Sequence, residues 1–147
     1  MRAEDILHEQ VCTWLKWQYP ELIFTFDPAG IRLTMGQARR YKKLKSDHKM
    51  PDVHILEPKG KYHGCYIELK AQGSSPFKQD GTLKKNDHTE SQAKTMELMR
   101  EKGYFAQFAV GYDEAIELLT HYLDIDAIPK QTTRNHQRKE NKSNKGS

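Results

Sequence analysis

The sequence predicts an α/β domain in which a small mixed β-sheet is flanked by helices. Three observations point there. Helical stretches and short apolar runs follow one another in the order α-β-β-β-α-β-α. The length, 147 residues, fits one ordinary core and is short for two. Hydrophobic residues make up 36% and charged residues 30%, a globular composition in which no stretch approaches the roughly 20 apolar residues of a membrane span.

Each element has a local reason. Residues 3–18 are expected to be helical because Leu7, Val11, Trp14 and Leu15 share one face and Pro20 closes the run. Residues 22–26 are apolar, aromatic and β-branched, which predicts a strand. Asp27-Pro28-Ala29-Gly30 is turn chemistry, and the basic stretch after it reads as a loop. Residues 53–56 predict a second strand, closed by Pro58 and Gly60. Residues 66–70 predict a third, with Ile67 and Leu69 on one side and Glu68 and Lys70 on the other. Residues 71–88 are polar and Gly- and Ser-rich, a loop long enough to have a functional use. A helix is expected from Thr89, in capping-box spacing with Gln92, to Lys102, with Gly103 as its C-cap. Residues 104–110 predict an apolar strand buried on both faces, and Asp113 is expected to cap a last helix through Leu123. The domain is therefore placed at 1–130. Residues 131–147 contain no aliphatic side chain and are expected to be disordered.

The net charge is +4, and its location matters more than its size. The tail holds Arg134, Arg138, Lys139, Lys142 and Lys145 against Glu140, which accounts for the whole excess. Within the remaining neutral body, Arg32, Arg39, Arg40, Lys42, Lys43, Lys45 and Lys49 meet only Asp47. Segregation of this kind predicts a phosphate-binding surface, against the plain alternative of a solvated charged loop. The first residues reach Glu4 and Asp5 at once, with no apolar signal core, which predicts a cytoplasmic protein. Cys12 and Cys65 are expected to be two buried free thiols.

The chemistry gathers around Met50-Pro51-Asp52 and Glu68-Leu69-Lys70. If the second and third strands form a hairpin across residues 59–64, both carboxylates reach one edge of the sheet. Such a pair suits a hard divalent cation and leaves room for phosphodiester oxygens. Lys70, two residues from Glu68, shares its face and could orient or help deprotonate an attacking water. Singly, each residue reads as part of a solvated face; together they are a constellation. His54, His63 and His88 lie near it, but zinc needs four ligands at close spacing and the two cysteines stand apart, so a zinc site is not expected.

With this element order, Pro51-Asp52 and the segment Gly64-Cys65-Tyr66-Ile67-Glu68-Leu69-Lys70 resemble the PD-(D/E)xK, restriction-endonuclease-like superfamily, and within it the VRR-NUC family of small phage and bacterial nucleases. The resemblance runs over about residues 4–123. It includes Gln18-Tyr19-Pro20, Pro28-Ala29-Gly30 with Arg32, Gln92, Gly103-Tyr104 and Asp113-Glu114-Ala115. It implies a restriction-endonuclease-like core and an endodeoxyribonuclease dependent on Mg²⁺ or Mn²⁺. Asp52 and Glu68 would bind the metal with the Leu69 carbonyl, and Lys70 would be the catalytic lysine. Gln92 would join the catalytic set, beside its alternative as a capping residue. The family also uses a first-helix glutamate, for which Glu4 and Glu9 compete. Glu4 is preferred because helical geometry puts it near the Val11 and Leu15 face, although complementing the helix dipole would explain it equally. Two departures touch loop conformation: Met50 stands where the family has glycine, and Ala29 where it has asparagine. The resemblance further implies a homodimer acting on branched DNA such as four-way junctions. The competing reading is a non-catalytic nucleic-acid-binding module that uses the 32–49 surface.

Overall fold

Helix α1 (Ala3–Gln18) forms over the residues that the periodicity predicts, and buries Leu7, Val11 and Leu15 together with His8. The computed structural model describes residues 1–125. Strand β1 (Phe24–Phe26) follows, then a 3₁₀ turn over Pro28–Gly30 and helix α2 (Met35–Leu44). The hairpin β2 (Val53–Ile55) and β3 (Cys65–Lys70) comes next, then α3 (Asp87–Glu101), β4 (Phe105–Val110) and α4 (Tyr112–Leu123). The expected boundary at residue 130 and the expected disorder of the tail lie outside the described residues.

The sheet order is β1-β2-β3-β4, antiparallel for the first two pairings and parallel for β3 with β4. A parallel neighbour cannot be reached by a tight turn, so α3 serves as the crossover. Alternation along β4 divides the interior. Phe105 and Ala109 join Ile67, Leu69, α1 and α4 in the larger core, while Ala106 and Phe108 pack with Met96 of α3 on the other face. Among the described residues, no helix is long and apolar enough to cross a membrane.

Several expectations need correction. The basic stretch is not a loop. Thr34 accepts from the Gln37 amide and Gln37 from the Thr34 amide, a full capping box that starts α2. This helix buries no residue, so it lacks the apolar periodicity by which the others announce themselves. The element order thus gains a helix between β1 and β2. Helix α3 is capped by Asn86, whose side chain accepts from the Thr89 amide, and not by Thr89 with Gln92. Helix α4 starts after Gly111 at φ +83°, with Asp113 inside its first turn rather than capping it. Strand β4 is not buried throughout, since Gln107 is exposed. Cys65 is buried, but Cys12 only partly so.

Candidate functional site

The β2–β3 register sets the site. Val53 pairs with Ile67, so one step further Asp52 faces Glu68. The hairpin is the one expected, with its turn closed between Lys59 and Tyr62. Asp52 is 5% exposed and Glu68 4%. The Leu69 amide donates to Asp52 Oδ2 at 2.9 Å. In an extended strand the amide and carbonyl of one residue leave on the same side, which directs the Leu69 carbonyl toward the β2 side of β3. Gln92 Nε2 donates to Glu68 Oε1 at 3.1 Å, and Lys70 Nζ lies 3.8 Å from that oxygen. The side chain of Gln92 thus faces Glu68 from α3, the N-cap of which is Asn86.

Burial raises the pKa of both carboxyls. For Asp52 the hydrogen bond from the Leu69 amide opposes the rise. Glu68 is pushed up to about 9, first by burial and then by the Asp52 charge, with Lys70 pulling the other way. Two facing carboxyls removed from water hold their full negative charge poorly by themselves. A divalent cation compensates such a pair, and the Asp52, Glu68 and Leu69 oxygens are the donor set a hard cation takes. Among the described residues, no three His, Cys, Asp or Glu side chains form a ready cage, so solvent or substrate oxygens would complete the shell.

A cleft of about 570 Å³ opens over these groups. Glu4, Asp52, Glu68, Lys70, His88 and Gln92 line it, together with Arg32, Lys42, Lys45 and Lys49. Asp52 and Glu68 are its buried floor, whereas Arg32, Lys42 and Lys49 are exposed at its rim. Glu4 is half-exposed there. Glu9 instead lines a separate shallow groove with Ile6, Trp14, Trp17 and Tyr112. Of the seven basic residues, Arg39, Arg40 and Lys43 are exposed but do not line the cleft. Lys45 Nζ donates to the Ser46 and His48 carbonyls, and Lys49 Nζ to His88 Nδ1 at 2.8 Å. Burial and the neighbouring Lys49 and Lys70 charges lower the His88 pKa, so the ring accepts that bond as a neutral imidazole.

The turn below the cleft allows little freedom. A Cβ on Gly30 would overlap the Phe26 ring and come within 2.7 Å of Asp52 Oδ1. The Asp27 amide donates to the Asp52 carbonyl at 2.7 Å, and Asp27 caps the Pro28–Gly30 turn through the Ala29 amide at 3.1 Å. Alanine at position 29 therefore leaves this turn intact.

One residue of the site escaped the sequence reading. His8, 9% exposed, packs its ring on Phe26 and places Nε2 3.8 Å from both Asp52 Oδ2 and Glu4 Oε1. On a helical wheel it falls about 20° from Leu15, so its inward direction was legible. Nothing in the sequence said what it would face. Of the three histidines near the motif in sequence, only His88 reaches the cleft; His54 bonds the Pro51 carbonyl at 2.8 Å and His63 packs on Tyr104.

A solved structure named VRR_NUC domain protein matches 86% of this chain and 93% of its own length, at TM-score 0.62 and 24% identity. The fold is that of a VRR_NUC domain protein. The mixed four-stranded sheet between helices is consistent with the restriction-endonuclease-like core that the sequence predicts. No protein-family model and no curated protein matches the sequence.

Proposed function

We propose that the chain is a VRR-NUC-type nuclease, a divalent-metal-dependent endonuclease that hydrolyses DNA phosphodiesters. The observation that carries this reading is the facing pair Asp52 and Glu68, buried at the floor of a cation-rimmed cleft with Lys70 alongside. A binding-only module gains nothing from two buried carboxyls that face a phosphate, since burial makes them costly and any charge on them repels it.

In this reading Asp52, Glu68 and the Leu69 carbonyl hold the cation, and Glu4 closes the side toward α1. The bound Mg²⁺ or Mn²⁺ supplies charge stabilisation at the scissile phosphodiester. Lys70 orients the attacking water and offsets negative charge that develops on the phosphoryl oxygens. Gln92 holds the Glu68 carboxyl through the 3.1 Å bond. Arg32 and Lys42 draw the DNA backbone to the cleft, with Lys45 and Lys49 adding charge beside them, while Arg39, Arg40 and Lys43 extend the basic surface beyond it.

The test is digestion of plasmid and of labelled junction, flap and duplex DNA in Mg²⁺ or Mn²⁺ against EDTA. Cleavage is expected only with metal, and Asp52→Ala and Lys70→Ala should lower it at least about 100-fold while circular dichroism stays unchanged. Variants that cut like the parent would remove the assignment; DNA binding without metal-dependent cutting would favour the binding module. We further propose a homodimer selective for branched DNA, because two sites related by a two-fold axis can nick symmetric strands. Junctions should then be cut in preference to duplex, by a species with twice the chain mass in solution.

A further inference from the structure

We propose that His8 is a metal ligand through Nε2 and that it shifts the site's preference from Mg²⁺ toward Mn²⁺. This inference rests on the metal-binding reading above and goes beyond its oxygen-only ligand set.

The carrying observation is an unsatisfied atom. His8 Nε2 is buried with no hydrogen-bond partner, although the ring sits among carboxylates. Buried polar atoms are nearly always paired, so an orphan within an acidic site calls for an explanation. Its two neighbours, Asp52 Oδ2 and Glu4 Oε1, are each 3.8 Å away, too far to accept a hydrogen bond from it. Ligands held about 2.1 Å from one ion stand roughly 3–4 Å apart, which includes this separation, so a small inward shift of these side chains would close the set that is not yet a cage among the described residues. The ring is also aimed by its surroundings: Phe26 packs against it at a centroid distance of 4.6 Å, and its helix is anchored by Leu7, Val11 and Leu15.

A structural histidine would account for the packing on Phe26 and, when charged, for a long-range attraction to Asp52 and Glu4, but not for a ring nitrogen left without a hydrogen bond. Gln92 Oε1 is the other such atom, and it belongs to a group already committed to Glu68 through Nε2. The chemical consequence follows from ligand type. Mg²⁺ prefers oxygen and keeps its waters, whereas imidazole nitrogen is accepted far more readily by the first-row transition ions.

The experiment uses the full chain, freed of metal by chelation. Mn²⁺ and Mg²⁺ are each titrated calorimetrically into the parent, His8→Gln and Asp52→Asn, and the Mn²⁺ complexes are examined by pulsed EPR for coupling to ¹⁴N. The parent should show histidine-type nitrogen coupling that survives in His88→Gln and is lost in His8→Gln. His8→Gln should weaken Mn²⁺ about 10-fold or more and Mg²⁺ much less. The parent spectrum needs no variant, so a misfolded His8→Gln leaves the test standing. If Mn²⁺ binds in an Asp52-dependent way without nitrogen coupling, the His8 assignment is overturned and the metal reading survives. If neither ion binds the parent, both fall together.

Discussion

At Glu68 the metal-free protein keeps a carboxyl where its ionised form is poorly tolerated, and this makes stability depend on pH with a definite sign. The folded carboxyl holds its proton up to about pH 9, whereas the unfolded one releases it near its ordinary 4.5. Between those values the folded state binds the extra proton, so stability from this group is complete below the lower value and is lost as pH rises. Asp52 is shifted in the same direction. Glu68→Gln keeps the neutral shape at every pH. In EDTA it should match the parent near pH 4.5 and exceed it increasingly toward pH 9, by at most about 1.4 kcal/mol per pH unit. Urea midpoints at pH 5, 7 and 9 measure this, and a constant gap would contradict it. Asp52, Glu68 and Lys70 were legible because Pro-Asp and Glu-x-Lys fell on two predicted strands of a hairpin. His8 was not, because an isolated histidine on an apolar helical face acquires meaning only from a partner brought to it by folding.

Among the elements, α2 departs furthest from the sequence reading, and the reason is physical. Helices α1 and α4 write their buried faces into the spacing of Leu, Val and Ile. Helix α2 is specified by its capping box and is tied to the body by Tyr41, whose hydroxyl donates to the buried Asp27 carboxylate, with the two oxygens at 2.5 and 2.8 Å. Partial burial, and then that bond, push the Tyr41 phenol up to about 12. The helix turns Ala38, Tyr41, Lys42 and Lys45 toward the cleft, positions one helical face brings together. A helix with no buried side chain should open independently of the core. Thr34→Ala should therefore cost about 1 kcal/mol within α2 and leave the global denaturation midpoint almost unchanged. Hydrogen exchange would report this as amides of residues 38–44 exchanging about 5-fold faster while β3 and β4 keep their protection. An equal loss of protection in the strands would mean that α2 is part of the cooperative core.

For the whole molecule, the sheet and its flanking helices could be read from the order of apolar runs, while the placement of charge in space could not. The basic stretch is contiguous in sequence, yet folding divides it into residues that face the cleft and residues that do not. Lys45 is further occupied by two carbonyls and Lys49 by His88, which leaves Arg32 and Lys42 as the cleft cations with no side-chain or carbonyl partner among the described residues. Each phosphate contact contributes about −0.9 to the slope of log affinity against log salt. If Arg32 and Lys42 grip the backbone at the cleft, the double variant Arg32→Gln, Lys42→Gln should reduce that slope by about 1.8 and weaken binding of all DNA shapes alike. Arg39→Gln with Lys43→Gln changes the same net charge on the outer surface and should alter the slope less on a short substrate that only fills the cleft. Fluorescence anisotropy in Ca²⁺ or EDTA, from 50 to about 300 mM salt, separates the two pairs. Equal slopes for both would show that DNA responds to the total charge of the segment, and the division made by the fold would then have no part in binding.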